Sequence, residues 1–139
     1  MRAVQMGDAD GMGAVVAATG LFPDETLPSM MGAAVSGEAV VGLAYAVPEP
    51  LTHGTLNMLE LGVLPDAQGR GVGKVLVAAL EARLRANGRR LLIVGTSGTE
   101  AFAAARGFYR AAGYEEAVRI WEYWADGDDK VTFRKMLHE

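Results

Sequence analysis

The sequence predicts an α/β or α+β domain built on a mostly antiparallel sheet, and three observations carry that prediction. Strand-type and helix-type segments are mixed along the chain, with hairpin-like strand pairs near both ends. A helix from about Val72 to Leu84 follows the strand ending near Val63 across a glycine-rich turn and is closed by Asn87-Gly88. The length of 139 residues suits one domain over 1–139, and a chain that is 50% hydrophobic, without repeats or low-complexity tracts, can bury one core.

In chain order, Arg2 to Met6 reads as an edge strand, and Asp8 as the cap of a helix carrying Met12, Val15 and Val16. Leu21 to Met31 contains Pro23 and Pro28 and reads as irregular helix and loop. Glu38 to Val47 is apolar and β-branched until Pro48 and Pro50 stop it. After the turn-like Thr52-His53-Gly54 a second strand starts near Thr55, giving a hairpin. Apolar residues in that strand fall at Leu56 and Met58, then change phase to Leu59, Leu61 and Val63. A strict strand keeps period two, so the slip predicts a β-bulge near Met58 or Leu59, with backbone groups left unpaired beside it.

Val72, Leu76, Ala79, Leu80 and Leu84 recur at helical spacing, and Arg90 to Val94 then reads as a buried strand. Ser97-Gly-Thr-Glu100 has capping-box spacing and predicts a helix holding Phe102, Ala105, Phe108 and Tyr109 and ending at Gly113. Tyr114 to Ile120 and Val131 to Leu137 read as the last strands, separated by an aromatic and acidic loop.

Thirteen basic against seventeen acidic residues give a net charge of −4, which offers no general attraction to nucleic acid or to an anionic membrane. Any bound anion has to be caught locally. Cysteine is absent, which removes disulfides, thiolate metal sites and cysteine nucleophiles, and a cytoplasmic location is expected. The apolar stretch Met12 to Ala18 follows two aspartates rather than a basic region and is too short to span a bilayer, so a buried helix is the better reading.

The local anion catcher is the run Gln68-Gly-Arg-Gly-Val-Gly-Lys74 at the mouth of the Val72 helix. Helix N-termini present unpaired N–H groups and partial positive charge, and glycine lets a phosphate approach that backbone. A P-loop would need glycine where Gln68 stands and Ser or Thr where Val75 stands. A dinucleotide fingerprint would space its glycines differently from Gly69, Gly71 and Gly73. A turn serving packing alone seldom needs so many spaced glycines.

The run resembles the acyl-CoA signature of the GNAT family of N-acetyltransferases: Arg or Gln, two residues, Gly, one residue, then Gly or Ala. Val63-Leu-Pro65 is similar to the family's V-x-P lead-in, and Phe108-Tyr-Arg-Ala-Ala-Gly-Tyr114 to its second motif, F-Y-x-x-x-G-F. The likeness extends more loosely from Val41 to the C-terminus. It implies a GNAT fold: a single mixed, mostly antiparallel sheet with a central splayed parallel strand pair, flanked by helices. It also implies acetyl-CoA as cosubstrate, no metal, a small-molecule or protein amine as acceptor, and a homodimer as a common assembly. Carried over by position, the backbone of Gln68, Gly69, Arg70, Gly71, Val72, Gly73 and Lys74 holds the CoA pyrophosphate. Leu61 and Val63 on the bulged strand pair with the pantetheine arm.

Direct attack of an amine on the thioester needs a deprotonated nucleophile, an oxyanion donor and a proton for the leaving thiolate. The resemblance puts Tyr109 at the general acid, the alternative role of Tyr109 being packing beside Phe108. The backbone N–H of Val63 is the candidate oxyanion donor. Glu60 is the candidate base, against the common role of a solvated strand carboxylate. His53 is a further candidate, although turn histidines usually lie on the surface. Gly95 stands where many relatives carry an acidic residue. Trp121, Tyr123 and Trp124, among Glu122, Asp126, Asp128 and Asp129, suit an organic cation or a hydrophobic contact, and Glu49 would extend the acidic rim. The expected activity is acetyl transfer to a primary amine. An acyl-CoA binding or sensing protein without turnover is the alternative, and a partner-binding module using the aromatic segment is a third reading.

Overall fold

A computed structural model of the chain describes residues 2–3, 31–36 and 39–137, with side chains from 41 onward. The predicted Asp8 helix, the Leu21 to Met30 segment, residues 4–6 of the first strand and the Met12 to Ala18 stretch lie outside the described residues. The described elements are strands β1 (Arg2–Ala3), β2 (Met31–Ser36), β3 (Ala39–Pro48) and β4 (Thr55–Val63), helix α1 (Val72–Ala86), strand β5 (Leu91–Ser97), helix α2 (Ala103–Ala111), and strands β6 (Glu115–Ala125) and β7 (Asp128–Met136). They form one mixed sheet in the order β1-β2-β3-β4-β5-β7-β6, antiparallel except for the central β4–β5 pair.

That parallel pair opens part-way along. It is in register only from Thr55 opposite Leu91 to Met58 opposite Val94, while β4 continues to Val63 and β5 to Ser97. The bulge anticipated from the phase slip is the cause. Opposite β3, Glu60 pairs with Tyr45 and Met58 with Ala46, which leaves Leu59 as the extra residue. The added residue bends β4 away from β5 and resets the faces. Met58 and Leu61 both join the core beneath the helices, whereas Glu60 shares the opposite face with Tyr45.

Both helices cover the same face. Leu76, Val77, Leu80 and Leu84 of α1 and Tyr109 of α2 share one core with Ala44, Ala46, Leu56, Leu92, Val94, Val131 and Phe133. A buried polar link also ties α1 to the end of α2 and to β7: the Tyr114 hydroxyl donates to Glu81 Oε2 (2.7 Å) and the Lys135 ammonium to Glu81 Oε1 (3.0 Å). The Val72 helix is capped at Asn87, followed by Gly88 at φ 72°, as its stop signal predicted.

Two local expectations are corrected. Ser97 does not open α2 through a capping box. It ends β5, its hydroxyl accepts the Thr99 N–H (3.0 Å) and bonds Asp128, and a 3-10 turn (Glu100–Phe102) precedes α2 with Thr99 as its uncapped start. The aromatic segment is not a loop. It lies within β6, where Trp121 to Trp124 arch out opposite Asp129 between the pairs Ile120–Lys130 and Ala125–Asp128. The Asp129 carboxylate accepts the Glu122 N–H (2.9 Å) and the Arg119 Nε–H (2.8 Å), which together lower the Asp129 pKa from its ordinary value.

Candidate active site

The site lies where β4 and β5 part, and backbone alternation determines which groups face the opening. Leu64 N–H donates to Val41 O (2.8 Å). In that register Gly62 and Glu60 also bond toward β3, so Leu61 and Val63 turn their N–H and C=O groups to the β5 side. On β5, Leu137 N–H bonds Arg90 O and Gly98 N–H bonds Asp129 O (both 2.9 Å). Leu92, Val94 and Thr96 therefore bond β7, and Gly95 and Ser97 face β4. Past Met58 and Val94 these inward groups have no opposing strand. Gln68 Nε2 covers the Val63 carbonyl (3.0 Å) and Arg106 covers the Ser97 carbonyl (2.8 Å).

One end of the opening leads into the glycine turn. Gly69 (φ 79°) and Gly71 (φ 77°) adopt the left-handed conformation, and a Cβ on either would meet nothing within 4 Å. They are glycine for backbone shape, and no packing contact requires them. Gly71 is the N-cap of α1; no side chain caps the helix, no acid sits in its first turn, and the first helical bond runs from Val75 N–H to Gly71 O (3.1 Å). The amides of Val72, Gly73 and Lys74 therefore have no partner within the helix. Beside them lies a hollow of about 370 Å³ lined by Val63, Ala67, Gln68, Gly69, Gly71, Val72, Gly73, Lys74 and Phe108. Most of the residues expected at the cofactor thus border one space. Arg70 is exposed beside it, and Leu61 lies further up β4.

Phe108 joins this hollow to the reacting end. Its ring lies 3.6 Å from where a Gly73 Cβ would be and packs edge-on against Tyr109. Tyr109 is 8% exposed, between the rings of Tyr114 and Phe133. Burial, and secondarily the negative charge of Glu60, push its phenol up to about 12. Glu60 is 3% exposed, not the solvated strand carboxylate its sequence context suggested. A tyrosine from the helix face and a glutamate from the other face thus interact through the opening.

Glu49 is placed elsewhere. Its N–H bonds Thr55 O (2.9 Å) at the start of β4, roughly 25 Å from Val63 at a strand's rise per residue, and its carboxylate accepts Asn57 Nδ2–H (3.0 Å). His53 lies at that same far end, its carbonyl accepting Arg90 Nε–H. Neither borders the opening. Trp121 is 80% exposed, while Trp124 reaches back to donate to Thr96 O (3.2 Å) and packs edge-on against Tyr123 at 4.7 Å. The Lys130 ammonium sits over both rings and its stem crosses Gly95, an arrangement not anticipated from the sequence. Its only sequence signal was the glycine at position 95. Among the described residues no cluster of three or more His, Cys, Asp or Glu could hold a metal ion, and no helix is long and apolar enough to cross a membrane.

Comparison with known proteins places these features in context. The family model described as "Acetyltransferase (GNAT) domain" matches residues 30–116. An amino-acid acetyltransferase of Ralstonia nicotianae is 42% identical over 72 residues, a match spanning 52% of this chain but only 16% of that protein. A solved GNAT-family structure from Desulfovibrio desulfuricans superposes with a TM-score of 0.87 at 28% identity, covering 99% of this chain and 98% of that one. A Salmonella typhimurium protein solved with acetyl-CoA superposes at 0.82 with 16% identity over 99% and 93% of the two chains, a likeness of fold.

Proposed function

The chain belongs to the GNAT family of acetyltransferases, and on that premise we propose that it moves an acetyl group from acetyl-CoA to a primary amine by direct attack. One observation carries the reading above the others: the uncapped start of α1, with its glycine turn and adjoining hollow, opens onto the gap between β4 and β5 beside Tyr109. The amides of Val72, Gly73 and Lys74 suit a pyrophosphate, with Arg70 and Lys74 adding positive charge. The open edge of β4 at Leu61 and Val63 suits the amide-bearing pantetheine arm, which would replace the missing strand.

In this reading the amine attacks the thioester carbonyl in the gap, and the Val63 N–H stabilises the oxyanion. The C–S bond then breaks and the sulfur leaves as a thiolate. The proton lost by the attacking nitrogen goes to Glu60, directly or through water. Tyr109 donates to the sulfur as its charge grows. With a phenol at about 12 and a thiol near ~8.5, complete proton transfer from Tyr109 would be uphill by about 5 kcal/mol. The hydrogen bond, rather than full protonation, is therefore the main contribution expected of Tyr109.

The test is thiol release from acetyl-CoA by purified protein against a panel of amines, with Tyr109→Phe in parallel and CoA affinity measured by calorimetry. Amine-dependent release that falls about 10- to 100-fold in the variant while CoA affinity holds is the expected result. CoA binding without thiol release from any amine would instead support an acyl-CoA binding protein, and absence of CoA binding would remove both readings.

A further inference from the structure

We propose that Lys130 selects acceptors bearing a carboxylate, so that the amine acetylated here belongs to an amino acid or another amino-carboxylate. The inference rests on the acetyl-transfer reading and names the acceptor class for that site.

Aromatic residues in an acidic setting suggested, from sequence, a receptor for an organic cation. The structure fills that receptor with the chain's own cation. Lys130 Nζ lies 4.5 Å from the centre of the Tyr123 ring and 5.6 Å from that of Trp124. Trp124 is itself fixed by its bond to Thr96 O. A positively charged acceptor arriving at these rings would meet an ammonium already in place.

Gly95 explains how the lysine comes to lie there. A Cβ at that position would stand 2.5 Å from Lys130 Cε and 3.5 Å from Nζ, so the stem occupies the space of the missing side chain. Gly95 is also the first β5 residue beyond the parallel pairing with β4. The ammonium therefore stands at the rim of the opening. Val94 faces the helices, which puts Gly95 on the opposite face of the sheet, the face to which the bulge turns Glu60.

Nearby carboxylates are engaged elsewhere: Asp128 with the Ser97 hydroxyl, Asp129 with Arg119 and the Glu122 N–H. Among the described residues Lys130 joins no ion pair. An ammonium resting on aromatic faces keeps donors free on its other side. The opening is thus bordered by a carboxylate on β4 and an ammonium reaching over β5, opposite charges suited to an amine and a carboxylate on one small molecule. Charge-assisted pairing of that carboxylate with Lys130 should favour it about 10- to 100-fold over the same amine without the charge.

The experiment compares each common amino acid with its own carboxamide in the thiol-release assay, alongside polyamines and short peptides with blocked C-termini. It uses the intact chain, Lys130→Gln, Lys130→Arg and Gly95→Ala, each checked for CoA affinity. At least one free acid should exceed its amide about 10-fold or more in kcat/KM. That ratio should collapse toward one in Lys130→Gln, fall in Gly95→Ala as the new methyl displaces the lysine, and return in part with Lys130→Arg. A lysine that only shaped the hairpin would lower acid and amide alike, leaving the ratio unchanged, and that result overturns the proposal. So does turnover of amides, polyamines or blocked peptides without acid preference, which would leave acetyl transfer itself standing. Silence from every acceptor despite bound CoA overturns both.

Discussion

Replacing Gly73 with alanine separates the two purposes a glycine turn can serve, because its expected effects on stability and on binding have opposite signs. Gly73 lies in the first turn of α1, and its φ is not in the left-handed region. The new methyl would sit 3.6 and 3.7 Å from the Phe108 ring, an ordinary van der Waals contact. No clash opposes it, and alanine gains up to about 1 kcal/mol over glycine in helical backbone. For a domain of this size that raises Tm by about 4 °C. The same methyl enters the hollow and stands over the amides proposed to hold the pyrophosphate. Losing one charge-assisted amide bond costs about 1.5 to 3 kcal/mol, so CoA affinity should fall roughly 10- to 150-fold. Differential scanning fluorimetry of the free protein and calorimetric titration with CoA measure the two effects. A lower Tm would mean that Gly73 is needed for packing on Phe108. A raised Tm with CoA affinity within twofold of the parent would refute the phosphate cradle at this position.

Four further outcomes follow from the buried and hydrogen-bonded titratable groups. Burial raises Tyr45, Tyr109 and Tyr114 alike, so absorbance at 295 nm should show these three ionising late in the native protein and at lower pH once denaturant has exposed them. Because Tyr109 is raised, its protonated form supports the fold fully below pH 10, and that support is lost as pH rises from 10 toward 12; Tyr109→Phe should flatten this part of the stability profile in urea. Tyr114→Phe removes the donor to buried Glu81 and should cost about 1.5 to 3 kcal/mol in urea unfolding, a loss below 0.5 kcal/mol contradicting the link from α1 to β7. Asp129 is depressed, so its support for the aromatic arch is present above the ordinary carboxylate pKa and lost as pH falls through its lowered value; a tryptophan fluorescence step on the acid side of the ordinary carboxylate range, absent in Asp129→Asn, would report it.

Features governed by neighbouring residues could be read directly from the chain. The phase slip put the bulge near Met58 or Leu59, where the structure has it at Leu59, since period-two alternation is a property of one strand. The limits of α1 followed from apolar spacing and its Asn-Gly stop, and the glycine turn from its composition, because left-handed backbone at Gly69 and Gly71 is a local demand. The aromatic segment misled for the opposite reason. Its arch depends on Asp129 and on Thr96 of another strand, partners that no pattern within Trp121 to Trp124 names. Glu49 was expected to extend the acidic rim of the aromatic segment; its carboxylate instead accepts Asn57 Nδ2–H at the start of β4, a position set by the folded hairpin.

The sequence by itself determined the mostly antiparallel sheet, the glycine-mouthed helix and the bulged strand, all products of short-range periodicity and backbone preference. Tertiary structure alone decided that Glu60 is buried with its charge acting on Tyr109 and that Lys130 fills the space left at Gly95. Each of these is a meeting between distant segments, and burial, charge and steric room arise only once the sheet has assembled them.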